Sequence, residues 1–325
     1  MATLVSNIFY FFLAFLTLIF ITISGLESFY VKPGPSNDDK LLIIYKGQSV
    51  SNIASHLRDL NLIENRMTFM LVLRLKGFHD KIKFGEYMIP KTSSIEEIVH
   101  KIVSGVSVQY TITIPEGLST ASIVALINSN SRIKGDLIDN TEEGVFAPNT
   151  YSFDMTTNKE DLLMRMRYEQ KKIVNSAWNT RTPGLPLKNT SELLVLASIV
   201  EMEAGNDEDR KKVASVFINR LKKKMRLQSD PTVVYSLTGG QGTLDRELTR
   251  GDLKTNSPFN TYKISGLPPK PICNPSKSSI YAVANPPVTD FLFFVANGKG
   301  GHNFSQNLQQ HNRFVKEYRR LKEKN

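Results

Sequence analysis

Cysteine is all but missing from this 325-residue chain, where Cys273 stands alone. That excludes an internal disulfide and a cysteine-based structural zinc site. No cysteine follows the first apolar segment, where a lipoprotein would carry its lipid. His56, His79, His100, His302 and His311 are scattered and none forms an HExxH pair, so no metal site is expected. Gly298-Lys299-Gly300-Gly301 lacks the GK[ST] and the following helix of a phosphate loop, and no cofactor is expected. Long charge runs of one sign are missing too. The formal charge of +10 comes from scattered Lys and Arg, with short runs at 222–224 and 319–320 that read as solvated helix faces. Such a chain is attracted to an anionic polymer or membrane surface. Nucleic acid fits the charge equally well, so other features must decide.

Charge is also absent from residues 1–26, and 4–23 is almost all Leu, Ile, Phe and Val, about the length that crosses a bilayer. Residues 1–26 therefore read as a single-pass transmembrane anchor. A cleaved signal peptide is the alternative, but the stretch is long for one and lacks a basic start. Residues 27–40, with Pro33, Gly34 and Pro35, read as a linker. Residues 41–107 read as a small α+β module, with strands over 41–45 and 85–89 and helices over 49–61, 68–76 and 94–103. A middle region, 108–186, holds a strand, the turn Pro115-Glu116-Gly117, a helix over 119–128, an aromatic loop over 142–153 and a helix over 160–178. Residues 187–325 read as a mixed α/β domain, so the expected class is α+β with an N-terminal transmembrane helix.

The segment that carries chemistry starts at Asn189, a helix cap with Glu192 three residues on. From 193 to 200 only Ser198 is polar, and a helix apolar all round is a buried one. Glu201 follows directly. Burial disfavours its ionised form, which suits a general acid. At about 100° per residue, Glu201 shares its side of the helix with Leu194, Ala197, Ser198, Ala204 and Gly205. Most are small, so open space is expected above the acid. The plainer reading of Glu201 is a buried carboxylate paired with Arg220 or Arg226, and Glu203 reads as a helix-end partner of a basic residue. A helix over 207–225 follows. Asp230-Pro231 then reads as a turn, 232–235 as a strand and 291–304 as a hairpin. The intervening loops offer Gln, Asn, Asp, Thr and Tyr groups able to bond hydroxyls, although ordinary turn chemistry explains any one of them.

Taken in order, LASIVEMEAG (196–205), KVASVFINRL (212–221), MRLQSDPTVVY (225–235), FNTY (259–262), GLPP (266–269) and FFVANGKGGHNF (293–304) resemble the motifs of the endolytic murein transglycosylases, the MltG or YceG-like family. IPEG (114–117) and EEGVFAPNTY (142–151) are similar to its middle region, and 41–105 to its LysM-like glycan-binding module. The resemblance implies a lyase, a peptidoglycan lytic transglycosylase that cuts between N-acetylmuramic acid and N-acetylglucosamine without water and leaves 1,6-anhydromuramic acid ends. It implies a role in terminating nascent strands, with Glu201 as catalytic acid and base. On a glycan substrate the expected contacts are Gln228, Asp230, Thr232, Tyr235, Asn260, Tyr262 and His302. The resemblance also implies an inner-membrane protein with a periplasmic body, glycan strands and peptidoglycan synthases as partners, and no nucleic acid. Met202 stands where the family often has Lys, and Val145 and Ala147 where aromatics are common. A non-catalytic glycan-binding scaffold and a muramidase-type hydrolase are the alternatives.

Overall fold

The computed structural model describes residues 2–136, 142–242 and 244–323. It divides into two units, Met1–Tyr110 with Asp154–Thr156, and Thr111–Phe153 with Thr157–Asn325.

The first unit contains α1 (Ala2–Val31), β1 (Lys40–Ile44), α2 (Val50–Asp59), α3 (Arg66–Leu75), β2 (Gly85–Ile89) and α4 (Ile95–Ser104). β1 and β2 pair antiparallel, with Leu42 opposite Tyr87 and Ile44 opposite Gly85. The two-residue strand period puts Leu42, Ile44, Tyr87 and Ile89 on one buried face. That face meets Ile53, Leu57, Phe69 and Ile98 of the helices. α2, α3 and α4 each start at a side-chain cap: Ser49 accepts from the Asn52 N–H, Asn65 from those of Met67 and Thr68, and Ser94 with Glu97 forms a capping box.

The expected membrane anchor is corrected here. Among the described residues no helix is long and apolar enough to cross a membrane. Thr17, within the apolar stretch, returns its hydroxyl to the carbonyls of Leu13 and Ala14. Nor does α1 end where the apolar run ends, since its last turns are committed to the module. Tyr30 is buried, Glu27 lies 2.8 Å from the Lys76 ammonium, and that ammonium is 4.8 Å from the centre of the Tyr30 ring. Met1 lies outside the described residues. Residues 32–39 also lie against the module: Gly34 donates to the Thr92 carbonyl at 3.0 Å, and any side chain at 34 would collide with the Ser93 carbonyl.

The second unit is mainly helical. It comprises β3 (Tyr110–Thr113), α5 (Thr120–Ser129), β4 (Thr150–Phe153), α6 (Lys159–Asn179), α7 (Thr190–Glu203), α8 (Asp207–Lys222), α9 (Asp230–Thr238), α10 (Lys277–Ala284), β5 (Phe293–Ala296), β6 (His302–Ser305) and α11 (Leu308–Lys322). Its strands form two-stranded ribbons, β3 with β4 and β5 with β6. α7 is the central element, packed by α6, α8, α9 and α10. Leu193, Leu196, Ile199 and Val200 are fully buried against Val213 and Phe217 of α8 and Ile280 and Val283 of α10, each contributing about 1.5–3 kcal/mol by burial.

α7 starts at Asn189 as its sequence indicates. The Asn189 side chain accepts the Glu192 N–H at 2.9 Å, while the Glu192 carboxylate reaches one residue further back, to the Lys188 N–H at 2.7 Å. Residues 230–235 correct the expected turn and strand, because they belong to α9. Pro231 occupies the first turn of that helix, where its missing N–H has no partner to lose. Thr232 and Val233 are buried, and the Thr232 hydroxyl returns to the Ser229 carbonyl at 2.6 Å. Packing thus overrides the strand preference of a β-branched run.

Candidate active site

Glu201 sits in the last turn of α7 with its side chain 5% exposed. Ser198, one turn earlier, explains the one polar residue in the apolar run. Its hydroxyl donates to the Val195 carbonyl and accepts the Ile272 N–H at 3.0 Å, and its carbonyl accepts the Cys273 thiol at 3.3 Å. These bonds tie residues 272–276 along α7 and deliver Ser276, the N-cap of α10, to the acid. The Ser276 N–H and hydroxyl both donate to Glu201 Oε2, at 2.8 and 2.5 Å. A helix N-terminus therefore faces the carboxyl group, a favourable site for negative charge. Glu201 Oε1 lies 3.4 Å from Arg210 Nη2. The same nitrogen is 3.7 Å from the Glu116 carboxylate, and Nη1 pairs with Asp207.

On the Ser198 side of Glu201 the expected open space is filled by the segment just described. Space lies instead beside the turn at Gly117. This glycine has φ +75°, a left-handed conformation that favours Gly. Its N–H donates to the Asn274 carbonyl at 3.1 Å. A Cβ there would stand 3.4 Å from Met202 Sδ and 3.7 Å from Glu201 Cγ. Asn274 is fully buried, and its amide nitrogen donates to the Leu118 carbonyl, the Thr120 hydroxyl and the Glu143 carboxylate. Its side-chain oxygen accepts the Phe146 N–H at 2.8 Å. The loops around 114–118 and 142–146 thus meet at Asn274. Burial and then the Glu201 charge push the Glu116 pKa up, with Arg210 opposing, and burial pushes Glu143 up against its hydrogen bonds.

A cleft of about 460 Å³ opens here, lined by Gly117, Met202, Asp230, Tyr235, Arg246 and Ile272 among others. Of the residues expected to touch substrate, Asp230 and Tyr235 line this cleft, and the Tyr262 hydroxyl donates to Asp230 at 2.6 Å. Burial, and then the nearby Glu143 carboxylate, push the Tyr235 pKa up to about 12. Gln228 is exposed, with a left-handed backbone at φ 50° and its N–H on the Thr261 carbonyl. Thr232 and Asn260 are fully buried. Thr232 bonds Thr261 at 2.9 Å and Asn260 donates to the carbonyls of Leu253 and Thr255, so both hold loops and present no surface to a ligand. His302 is held by Asp209, which accepts its backbone N–H at 2.7 Å and lies 3.0 Å from its Nδ1; these contacts fasten the β5–β6 hairpin to the start of α8.

The expected partners of Glu201 are replaced. Arg220 donates to the carbonyls of Leu292 and Leu227, and Arg226 to that of Tyr262. Glu203 has no ion-pair partner among the described residues; it accepts the Ser229 hydroxyl at 2.7 Å. Burial pushes its pKa up to about 7, the Ser229 bond opposing and the Asp230 charge adding. Sequence reasoning missed Glu116, Arg210, Asn274 and Ser276 as a group. The serine before α10 carries a readable cap signal, since its hydroxyl also accepts the Ser279 N–H. Nothing local marks the other three. Among the described residues no group of three or more His, Cys, Asp or Glu side chains is placed to hold a metal ion.

Residues 42–317 match the YceG-like family. An endolytic murein transglycosylase of Bacillus subtilis (strain 168) is 35% identical over 309 residues, covering 85% of this chain and 83% of that protein. Another, from Streptococcus pneumoniae serotype 2 (strain D39), is 28% identical and covers 85% of this chain and 57% of its own length. A crystal structure of a yceG-like protein from Listeria monocytogenes superposes with a TM-score of 0.53 at 29% identity, over 86% of this chain and 99% of that one.

Proposed function

The chain belongs to the YceG-like family, and on that premise we propose that it is an endolytic lytic transglycosylase that cuts peptidoglycan glycan strands with Glu201 as general acid and base. The observation that carries the residue assignment is the unequal holding of the Glu201 carboxyl group. Two donors at 2.8 and 2.5 Å occupy Oε2, while Oε1 has a single, longer contact to Arg210. The transferable proton therefore belongs on Oε1.

That proton passes to the glycosidic oxygen as the bond from muramyl C1 breaks. The carboxylate left behind takes a proton from the muramyl C6 hydroxyl, whose oxygen bonds C1 and closes the 1,6-anhydro ring. No water enters, and Glu201 ends protonated as it began. Arg210 and the α10 N-terminus stabilise the carboxylate in the interval. One carboxyl group suffices because the nucleophile belongs to the substrate, unlike the paired acids of hydrolytic glycosidases.

Asp230, Tyr235, Gln228 and Tyr262 are proposed as substrate contacts, with Thr232, Asn260 and His302 holding the elements that bear the site. Residues 41–107 serve as the glycan-binding module and 187–325 as the catalytic domain. A cell-wall substrate implies an extracytoplasmic body, and a role in ending nascent strands makes peptidoglycan synthases the partner class.

Incubating the full chain with purified sacculi tests the proposal, with the released ends read by mass spectrometry. The expected products carry 1,6-anhydromuramic acid, and Glu201→Gln abolishes their release. Unchanged release by that variant would overturn the enzyme assignment in favour of a glycan-binding scaffold. The half-exposed Glu116 beside Arg210 favours one second reading, a muramidase-type hydrolase with Glu116 activating water. Reducing muramic acid ends would select that reading and reject the lytic one.

A further inference from the structure

We propose that a second cleft, beside Arg210, is a subsite for the carboxylates of the peptide stem carried by the muramyl residue; this rests on the peptidoglycan reading above. The cleft measures about 800 Å³ and is lined by Asp207, Glu208, Arg210, Lys211, Lys212 and Lys277 at its charged end, with Tyr281, Ala282 and Pro287 beyond. Of its acidic groups, Asp207 shares Arg210 with Glu201 and Glu116, and Glu208 pairs with Lys212 at 3.0 Å. Lys211 and Lys277 are exposed, and neither has an ion-pair partner among the described residues. The lining thus holds four cations, Arg210, Lys211, Lys212 and Lys277, against two carboxylates, Asp207 and Glu208. Lys277 opens α10 immediately after Ser276, so it stands one residue from the group that holds Glu201.

Position identifies the anion. Arg210 both touches Glu201 and lines this cleft, so the cleft begins where the scissile muramyl ring would lie. The peptide stem leaves that ring through the lactyl group on C3, two carbons from the C1 that reacts. A volume in the range of small-ligand pockets fits several peptide residues. It is far larger than the free lactyl carboxylate of a stripped strand needs. The Tyr281 ring, over whose centre the Lys277 ammonium lies at 5.9 Å, and its aliphatic neighbours flank the cations along the path of the peptide.

The test compares the unsubstituted full chain with the double variants Lys211→Ala/Lys277→Ala and Lys211→Glu/Lys277→Glu. Each is assayed on peptide-bearing strands and on strands stripped of peptide by an amidase. The expected result is a fall in the ratio of kcat/KM between the two substrates, by about 5–10-fold for the alanine pair. The fall is larger for the glutamate pair, is carried by KM, and shrinks at high salt. Equal losses on both substrates, or no loss on either, would overturn the subsite. A greater loss on stripped strands would also overturn it, by making the lactyl carboxylate the bound anion. Failure of the unsubstituted protein to produce 1,6-anhydro ends from either substrate would instead reject the transglycosylase reading itself.

Discussion

Two carboxylates at the end of α7, two residues apart, lie in opposite surroundings. Glu201 meets a cation and two hydrogen-bond donors at a helix N-terminus. Glu203 meets one neutral donor, Ser229, and the nearby charge of Asp230, with Arg220 acting on it only at a distance. The first is a group whose charge finds partners on both oxygens, and the second is one whose charge the fold resists. Residue type and helix are identical, so the difference lies in what other segments bring to each side. Substituting each acid by its amide isolates that difference.

The largest effect is expected for Glu201→Gln, a loss of about 10³-fold or more in kcat with little change in Tm. Parity between Glu201→Gln and Glu203→Gln in glycan cleavage would dissolve the contrast. Next comes Arg210→Met, which leaves Glu201 enclosed without its cation. Breaking one side of a buried pair costs about 3–5 kcal/mol, so a large fall in Tm together with lost activity is expected, measured by thermal melts and turnover on defined strands.

Glu203 gives a pH signature of the opposite sign from a paired carboxylate. Its folded pKa, about 7, lies above the ordinary range, so the native state keeps a proton that the unfolded chain has already lost. Stability is therefore highest below the ordinary carboxylate pKa and declines as pH rises toward about 7, by a few kcal/mol at most. In Glu203→Gln that decline should vanish, raising Tm relative to the unsubstituted protein at pH 8 but not at pH 4.5. Identical pH profiles for the two proteins would remove the claim that burial governs Glu203. The smallest effect belongs to Ser276→Ala. It deletes one of the two donors to Oε2 while the backbone N–H remains, and about 1 kcal/mol corresponds to a kcat reduction of several-fold.

Much of the frame was legible because its signals are carried by neighbouring residues. Asn189 and Glu192 mark the start of α7, the apolar run marks its burial on all sides, and a short apolar run marks β1. The hairpin of β5 and β6 appeared where Phe291 to Phe304 indicated it. Errors arose where a local signal met a stronger distant one. The β-branched residues after Pro231 suggest a strand, yet the hydroxyls of Ser229, Thr232 and Thr261 and the packing around Val233 select a helix. The N-terminal stretch suggested an anchor ending at residue 26, but α1 runs on to place Tyr30 in the core of its module.

By itself the amino-acid sequence determined that Glu201 would lie in a buried helix, because seven of the eight residues from 193 to 200 are apolar and fall on every side of it. Only the tertiary structure decided what that acid would meet. Ser276 reaches it from 75 residues away, Glu116 approaches on a turn held by Asn274, and Arg210 arrives on the next helix in place of Arg220 or Arg226. Helical periodicity is a property of consecutive residues. The partners of a buried carboxyl group are set by how distant segments pack, and no local pattern encodes them.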